Sequence, residues 1–239
     1  MQPKSIPLNE RIIFAIDVGS FEQAKSLVER LESHITFYKI GLQLFLAGSF
    51  SVVEWIAGRG HKVMLDLKLY DIPQTVKLAV EQIRGRGVTF ATVHGNEPIV
   101  QAAVQAAGGE IKILAVTVLT SFGREDMGKF FGLRCEVEDL VLERARQAVC
   151  SGAEGIVASG VEASRLRNEL GSSFLIVTPG IRPGGADAGR DGDDQKRIVT
   201  AGQAIRNGAD YVVVGRPIRD AADPISAVEA MQHEIADFL

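Results

Sequence analysis

The sequence predicts an α/β fold, a closed (β/α)8 TIM barrel in which residues 1–239 make a single domain. Three observations carry that expectation. A chain of 239 residues has the usual length of one such barrel. Short runs rich in β-branched residues alternate with longer segments of helical periodicity from end to end. No linker-like or low-complexity stretch breaks the series, and an open doubly wound sheet with this many units would be unusually long.

The first strand is expected at 11–17, ending in Ala15-Ile16-Asp17-Val18-Gly19, with an amphipathic helix at 21–31. The second, 36–40, ends in Tyr38-Lys39-Ile40-Gly41, and its helix, 44–57, carries Trp55 as a core residue. The third, 62–68, leads to a helix at 73–84, with Pro73 suited to the first turn. The fourth, 89–94, ends in His94, and the fifth is expected at 111–119. A helix at 136–150 precedes the sixth strand, 155–158. A helix at 163–170 precedes the seventh, 174–178, and one at 201–207 precedes the eighth, 211–214. Gly58, Gly85, Gly152 and Gly208 stand where helix C-terminal signals belong. Several strands are almost wholly apolar, as parallel strands covered on both faces must be.

The composition is 46% hydrophobic and 23% charged, that of a soluble globular chain able to bury a core without disulfide or metal staples. With 26 basic and 30 acidic residues the net charge is −4, which gives no general attraction to nucleic acid or an anionic membrane. Any anionic ligand must therefore be held by a local cluster. Cys135 and Cys150 have no metal-type spacing and read as reduced thiols. The scattered histidines His34, His61, His94 and His233 suggest no metal site. Signal-peptide and spanning-helix patterns are absent, so the expected location is cytoplasmic.

In such a barrel, functional groups sit at the C-terminal ends of the strands. The third strand runs into Met64-Leu65-Asp66-Leu67-Lys68-Leu69-Tyr70-Asp71-Ile72-Pro73. Alternation puts Asp66 and Lys68 on one face, about 7 Å apart along the strand. Lys39 and Asp17 end the neighbouring strands. A plain buried ion-pair layer would account for Asp66 and Lys68 alone. Lys39, Asp66, Lys68 and Asp71 together form an alternating set that neutralises itself and still presents fixed charges to a ligand.

These segments resemble the orotidine 5'-phosphate decarboxylase family over nearly the whole chain. The likeness rests on Ala15-Ile16-Asp17-Val18, Tyr38-Lys39-Ile40-Gly41 and the run from Asp66 to Pro73. It continues through Thr178-Pro179-Gly180-Ile181-Arg182-Pro183, Asp194-Gln195-Lys196-Arg197 and Val214-Gly215-Arg216-Pro217. The resemblance implies conversion of orotidine 5'-monophosphate to uridine 5'-monophosphate (UMP) in pyrimidine biosynthesis, without cofactor or metal. It implies Lys39, Asp66, Lys68 and Asp71 as the catalytic array. It further implies a homodimer, with Asp71 and Thr75 reaching across to the neighbouring site. Asp17, Lys39 and Thr75 would then touch ribose hydroxyls, and Thr120 the pyrimidine ring.

Loss of carbon dioxide from C6 leaves a carbanion with little resonance relief, so a barrier lowering of ~20 kcal/mol or more is needed. Fixed charges suit that chemistry. Lys68 would face the developing charge and protonate C6, with Asp66 beside the departing carboxylate. Arg182 and Arg216 follow the seventh and eighth strands, the usual phosphate position. Pro179, Gly215 and Gln195 complete that side. The Gly- and Asp-rich stretch at about 183–194 reads as a mobile loop over the ligand. The rival is a metal-dependent sugar-phosphate enzyme such as a hexulose-phosphate synthase, which shares the Asp-x-Lys-x-x-Asp element. A non-catalytic phosphate-binding barrel is a further alternative.

Overall fold

The computed structural model of the protein describes residues 4–122, 126, 129, 132, 135–184 and 197–239. Its eight strands are β1 (Ile12–Ala15), β2 (Phe37–Gly41), β3 (Lys62–Leu69), β4 (Val88–His94), β5 (Lys112–Val116), β6 (Gly155–Val157), β7 (Leu175–Thr178) and β8 (Tyr211–Val214). They pair in sequence order, all parallel, and β8 closes on β1 through Ile12↔Val212 and Phe14↔Val214. The (β/α)8 barrel is as expected. The fifth strand is shorter than its apolar run: β5 ends opposite the end of β6, at Val116↔Val157, and beyond it the Thr117 N–H still donates to Val157 O at 3.3 Å.

Among the described residues the helices are α1 (Leu8–Arg11) before β1, then α2 (Phe21–Leu31), α3 (Leu42–Gly58), α4 (Pro73–Ile83), α5 (Glu97–Ala107), α6 (Val137–Cys150), α7 (Ala163–Leu170) and α8 (Ala201–Arg206) between strands, and α9 (Arg216–Arg219) and α10 (Pro224–Ala236) after β8. Arg11, expected to open the first strand, closes the short helix α1. Helix α3 is kinked at Ser49, where φ is 52°. Ser20 and Thr200 cap α2 and α8 by accepting the N–H of Gln23 and Gln203.

Two apolar layers hold the barrel. The outer one lies between strands and helices; the inner one consists of alternate strand residues such as Ile13, Phe37, Met64, Phe90, Leu114, Val177 and Tyr211. Phe37, Phe90 and Tyr211 meet at ring separations of 4.9, 5.7 and 5.4 Å and fill the lower interior. Burying each such ring contributes about 1.5–3 kcal/mol. The filled floor leaves the upper interior as the place where polar groups can meet a ligand.

The N-terminal end of the barrel is closed by a charge clamp. Asp210, just before β8, accepts hydrogen bonds from Arg167 Nη2 (2.6 Å), Lys4 Nζ (2.9 Å) and the Ile176 N–H (2.8 Å). Arg167 also donates to the carbonyls of Gly208 and Phe174, both at 2.9 Å. Among the described residues, no helix is long and apolar enough to cross a membrane.

Candidate active site

Strand side chains alternate, so the residue two beyond each floor side chain reaches the mouth of the barrel. Asp17 stands two beyond Ala15, Lys39 two beyond Phe37, Asp66 two beyond Met64 and Thr92 two beyond Phe90. The first three form a chain of alternating charge that ends in Lys68. Lys39 Nζ lies 3.1 Å from Asp17 Oδ1 and 3.6 Å from Asp66 Oδ2. Lys68 Nζ lies 2.9 Å from the same Asp66 oxygen. Lys39 and Asp66 are buried, whereas Asp17 and the tip of Lys68 reach solvent. Burial by itself would raise the Asp66 carboxyl, but the attraction of Lys39 and Lys68, with hydrogen bonds from Lys68 and Thr92, holds it below the usual carboxylate range.

Space for this chain depends on Gly41. A Cβ at that position would sit 3.1 Å from Lys39 Nζ and 3.2 Å from Asp17 Oδ1, so a side chain there would push the pair apart.

Simple alternation does not bring Lys68 to Asp66. The β3–β4 register moves from Leu65↔Ala91 to Leu69↔Val93, so Asp66, Leu67 and Lys68 stand opposite Thr92 alone. This is a bulge, and Lys68 takes the left-handed conformation with φ 50°. Such a backbone costs of order 1–3 kcal/mol for a non-glycine residue. It turns the ammonium back onto the Asp66 carboxylate. The Lys68 N–H, displaced from the ladder, donates to Thr92 Oγ1 at 2.9 Å, and the Thr92 hydroxyl donates to Asp66 Oδ1 at 2.9 Å.

The cluster forms one wall of a cavity of about 360 Å³, a size suited to a small ligand. Its lining also includes Thr120, Pro179, Arg182, Gly215 and Arg216, all expected as binding residues, with Gly215 beside Asp17. Arg182 leaves β7 through Pro179-Gly180, and its N–H is held by Val199 O at 3.0 Å. Arg216 opens α9 directly after β8. Arg197 ties this side together by pairing with the buried Glu162 and donating to the carbonyls of Val118 (3.3 Å) and Leu119 (3.1 Å), beside Thr120.

Asp71 and Thr75 are not brought to this cluster. Both are exposed on the rim at the start of α4, and Asp71 accepts the N–H of its neighbour Ile72 at 2.7 Å. Gln195, and positions 185–194 of the expected loop, lie outside the described residues. Two residues near the site escaped sequence reasoning. Thr92 could have been found by counting two from Phe90. Arg219, one helical turn after Arg216, lines the cavity and donates to Asp17 O at 2.8 Å.

Such an arrangement can hold a phosphorylated ligand by its anionic end and place paired ammonium and carboxylate groups against the other end. Comparison with known proteins finds likeness over nearly the whole chain. Residues 10–231 match the model of the orotidine 5'-phosphate decarboxylase / HUMPS family. The chain is 50% identical over 235 residues to orotidine 5'-phosphate decarboxylase of Methylococcus capsulatus, covering 98% of this chain and 95% of that protein. It is 49% identical over 228 residues to the enzyme of the same name from Rhodopseudomonas palustris, covering 95% of each. The crystal structure of orotidine 5'-phosphate decarboxylase from Lactobacillus acidophilus superposes with a TM-score of 0.82 at 32% identity, covering 95% of this chain and 99% of that one.

Proposed function

The chain belongs to the orotidine 5'-phosphate decarboxylase / HUMPS family, and from that premise we propose that it decarboxylates orotidine 5'-monophosphate to UMP in pyrimidine biosynthesis. The observation that carries the reading is the Asp17–Lys39–Asp66–Lys68 chain lining one cavity together with Arg182 and Arg216. The substrate's phosphate goes to the arginine side, with the backbone of Gly215 as a further partner and Gln195 joining from the loop. Its ribose lies against Asp17 and Lys39, its pyrimidine near Thr120 and Pro179, and its C6 carboxylate against Asp66.

The C6–carboxylate bond breaks, carbon dioxide leaves, and the electron pair stays on C6. The Lys68 ammonium stabilises that charge and gives its proton to C6, leaving UMP. Asp66 and Lys39 are already mutually oriented before substrate arrives, so little reorganisation accompanies the bond cleavage. In this reading no cofactor or metal takes part, and the reaction belongs to the cytoplasm.

The working enzyme in this proposal is a homodimer in which Asp71 and Thr75 serve the site of a second copy. Their exposure on the rim favours it. So do the apolar side chains exposed around them: Tyr70, Ile72, Leu78, Leu42 and Leu46, the last 81% exposed.

The deciding experiment follows ultraviolet absorbance after orotidine 5'-monophosphate is added to chelator-treated protein. Loss of substrate with UMP as product is expected. An unchanged spectrum would refute the reading, and turnover of a sugar phosphate only with magnesium would move the chain to the metal-dependent branch.

A further inference from the structure

We propose that Thr92 is a positioning residue of the reaction, its one hydroxyl fixing the Lys68 backbone and the Asp66 carboxylate relative to each other. The inference rests on the decarboxylase reading above. Thr92 is 1% exposed and does not line the cavity, so it can act only through the groups it touches.

The direction of both hydrogen bonds follows from valence. A backbone N–H can only donate, so the contact from Lys68 N at 2.9 Å makes Thr92 Oγ1 the acceptor. Its single proton is then available to Asp66 Oδ1, also at 2.9 Å. The two oxygens of Asp66 thereby have separate partners. Oδ2 takes the ammonium groups of Lys39 and Lys68, while Oδ1 takes the hydroxyl, which stops the carboxylate from rotating.

The same bond answers a backbone problem. Three residues of β3 face one residue of β4, and Lys68 holds φ 50° at the centre of that bulge. Its N–H finds a side-chain acceptor where the ladder offers no carbonyl. One hydroxyl thus holds both ends of the Asp66–Lys68 pair, at the backbone of one member and the carboxylate of the other. A β-branched apolar residue would fill the same volume and supply neither bond.

Thr92→Val, Thr92→Ser and Thr92→Ala separate this role from packing, read as kcat and KM with orotidine 5'-monophosphate. Removing a hydrogen bond to a charged group should lower kcat of Thr92→Val by ~10-fold or more while KM moves less than ~3-fold. Thr92→Ser should stay within ~3-fold of wild type, because it keeps the hydroxyl. A packing role gives the opposite order, with Thr92→Val close to wild type, and that order would overturn the proposal. If Thr92→Val does not fold, the Ser and Ala variants decide, since both lack the methyl group and differ in the hydroxyl. A folded Thr92→Ala as fast as Thr92→Ser would overturn the proposal; a slow one beside a fast Ser variant supports it. Wild type inert toward orotidine 5'-monophosphate would sink the decarboxylase reading and this inference together, whereas active wild type with a normal Thr92→Val sinks this inference alone.

Discussion

Lys68 Nζ stands 2.9 Å from Asp66 Oδ2 because the backbone of Lys68 is turned to φ 50°, not because the two residues alternate along a strand. The ammonium is therefore held at the cavity wall with its charge already matched. Lys68→Ala should abolish decarboxylation with the barrel intact, since the side chain is partly exposed and fills no core volume. Circular dichroism and a UMP assay check both halves. Near-normal turnover would remove Lys68 from the mechanism.

Asp66 gives a pH-dependent stability. Burial opposes its charge, but Lys39, Lys68 and Thr92 more than compensate, so its folded pKa lies below the unfolded value. The carboxylate's contribution is then fully present above the unfolded pKa of about 4 and is lost as pH falls through the folded one. Asp66→Asn lacks that contribution and leaves Lys39 facing Lys68. It should cost about 2 kcal/mol at neutral pH, a figure reduced because Lys68 is a third exposed. Urea titrations from neutral to acid pH should show the gap between variant and wild type closing below about pH 4. A gap that widens on acidification would contradict the assigned sign.

The arginine side should act on the phosphate alone. Arg216→Ala is expected to lower kcat/KM for orotidine 5'-monophosphate by ~10–100-fold, the loss of one charge-assisted contact. Turnover of orotidine, which lacks the phosphate, should be slow in wild type and change less than ~3-fold in the variant. Equal losses on both substrates would mean that Arg216 shapes the cavity instead of binding phosphate.

The dimer can be tested by complementation. Lys68→Ala and Asp71→Ala should each be inactive alone. If Asp71 serves the neighbouring site, mixing the two variants yields hybrid dimers with one intact site, and activity recovers to about a quarter of wild type. Leu46→Glu, which charges the exposed rim of α3, should give monomers in sedimentation and slow turnover. Mixed variants that stay inert while exchanging subunits would return Asp71 to its own chain.

Much of this was legible because a barrel couples sequence position to place. Strands β1 to β4 could be read from apolar runs, and Asp17, Lys39 and Asp66 fell at their ends. The bulge could not be read that way. Asp66-Leu67-Lys68 looks like regular alternation, and only the pairing with β4 leaves Thr92 facing all three. Helices α5 and α10 were not singled out, although the buried Ile99, Val100, Ala103, Ala106 and Ala107 of α5 follow the helical period. Asp71 and Thr75 were legible as rim residues, but their proposed role needs a second copy.

The opposite end of the barrel predicts a separation of stability from catalysis. Asp210 compensates Lys4 and Arg167 and also holds the Ile176 N–H, with both Asp210 and Arg167 buried. Asp210→Asn keeps the shape but leaves those cations without a counter-charge, which should cost about 3 kcal/mol. That is a large part of the ~5–15 kcal/mol typical of a folded protein, yet leaves most molecules folded at assay temperature. The aromatic floor of Phe37, Phe90 and Tyr211 lies between this clamp and the charged mouth, so the mouth geometry should be unaffected. The expected result is a lower urea midpoint with an unchanged slope and kcat within ~2-fold of wild type. A variant that keeps its midpoint, or loses kcat in proportion to its stability, would show that the two ends are not independent.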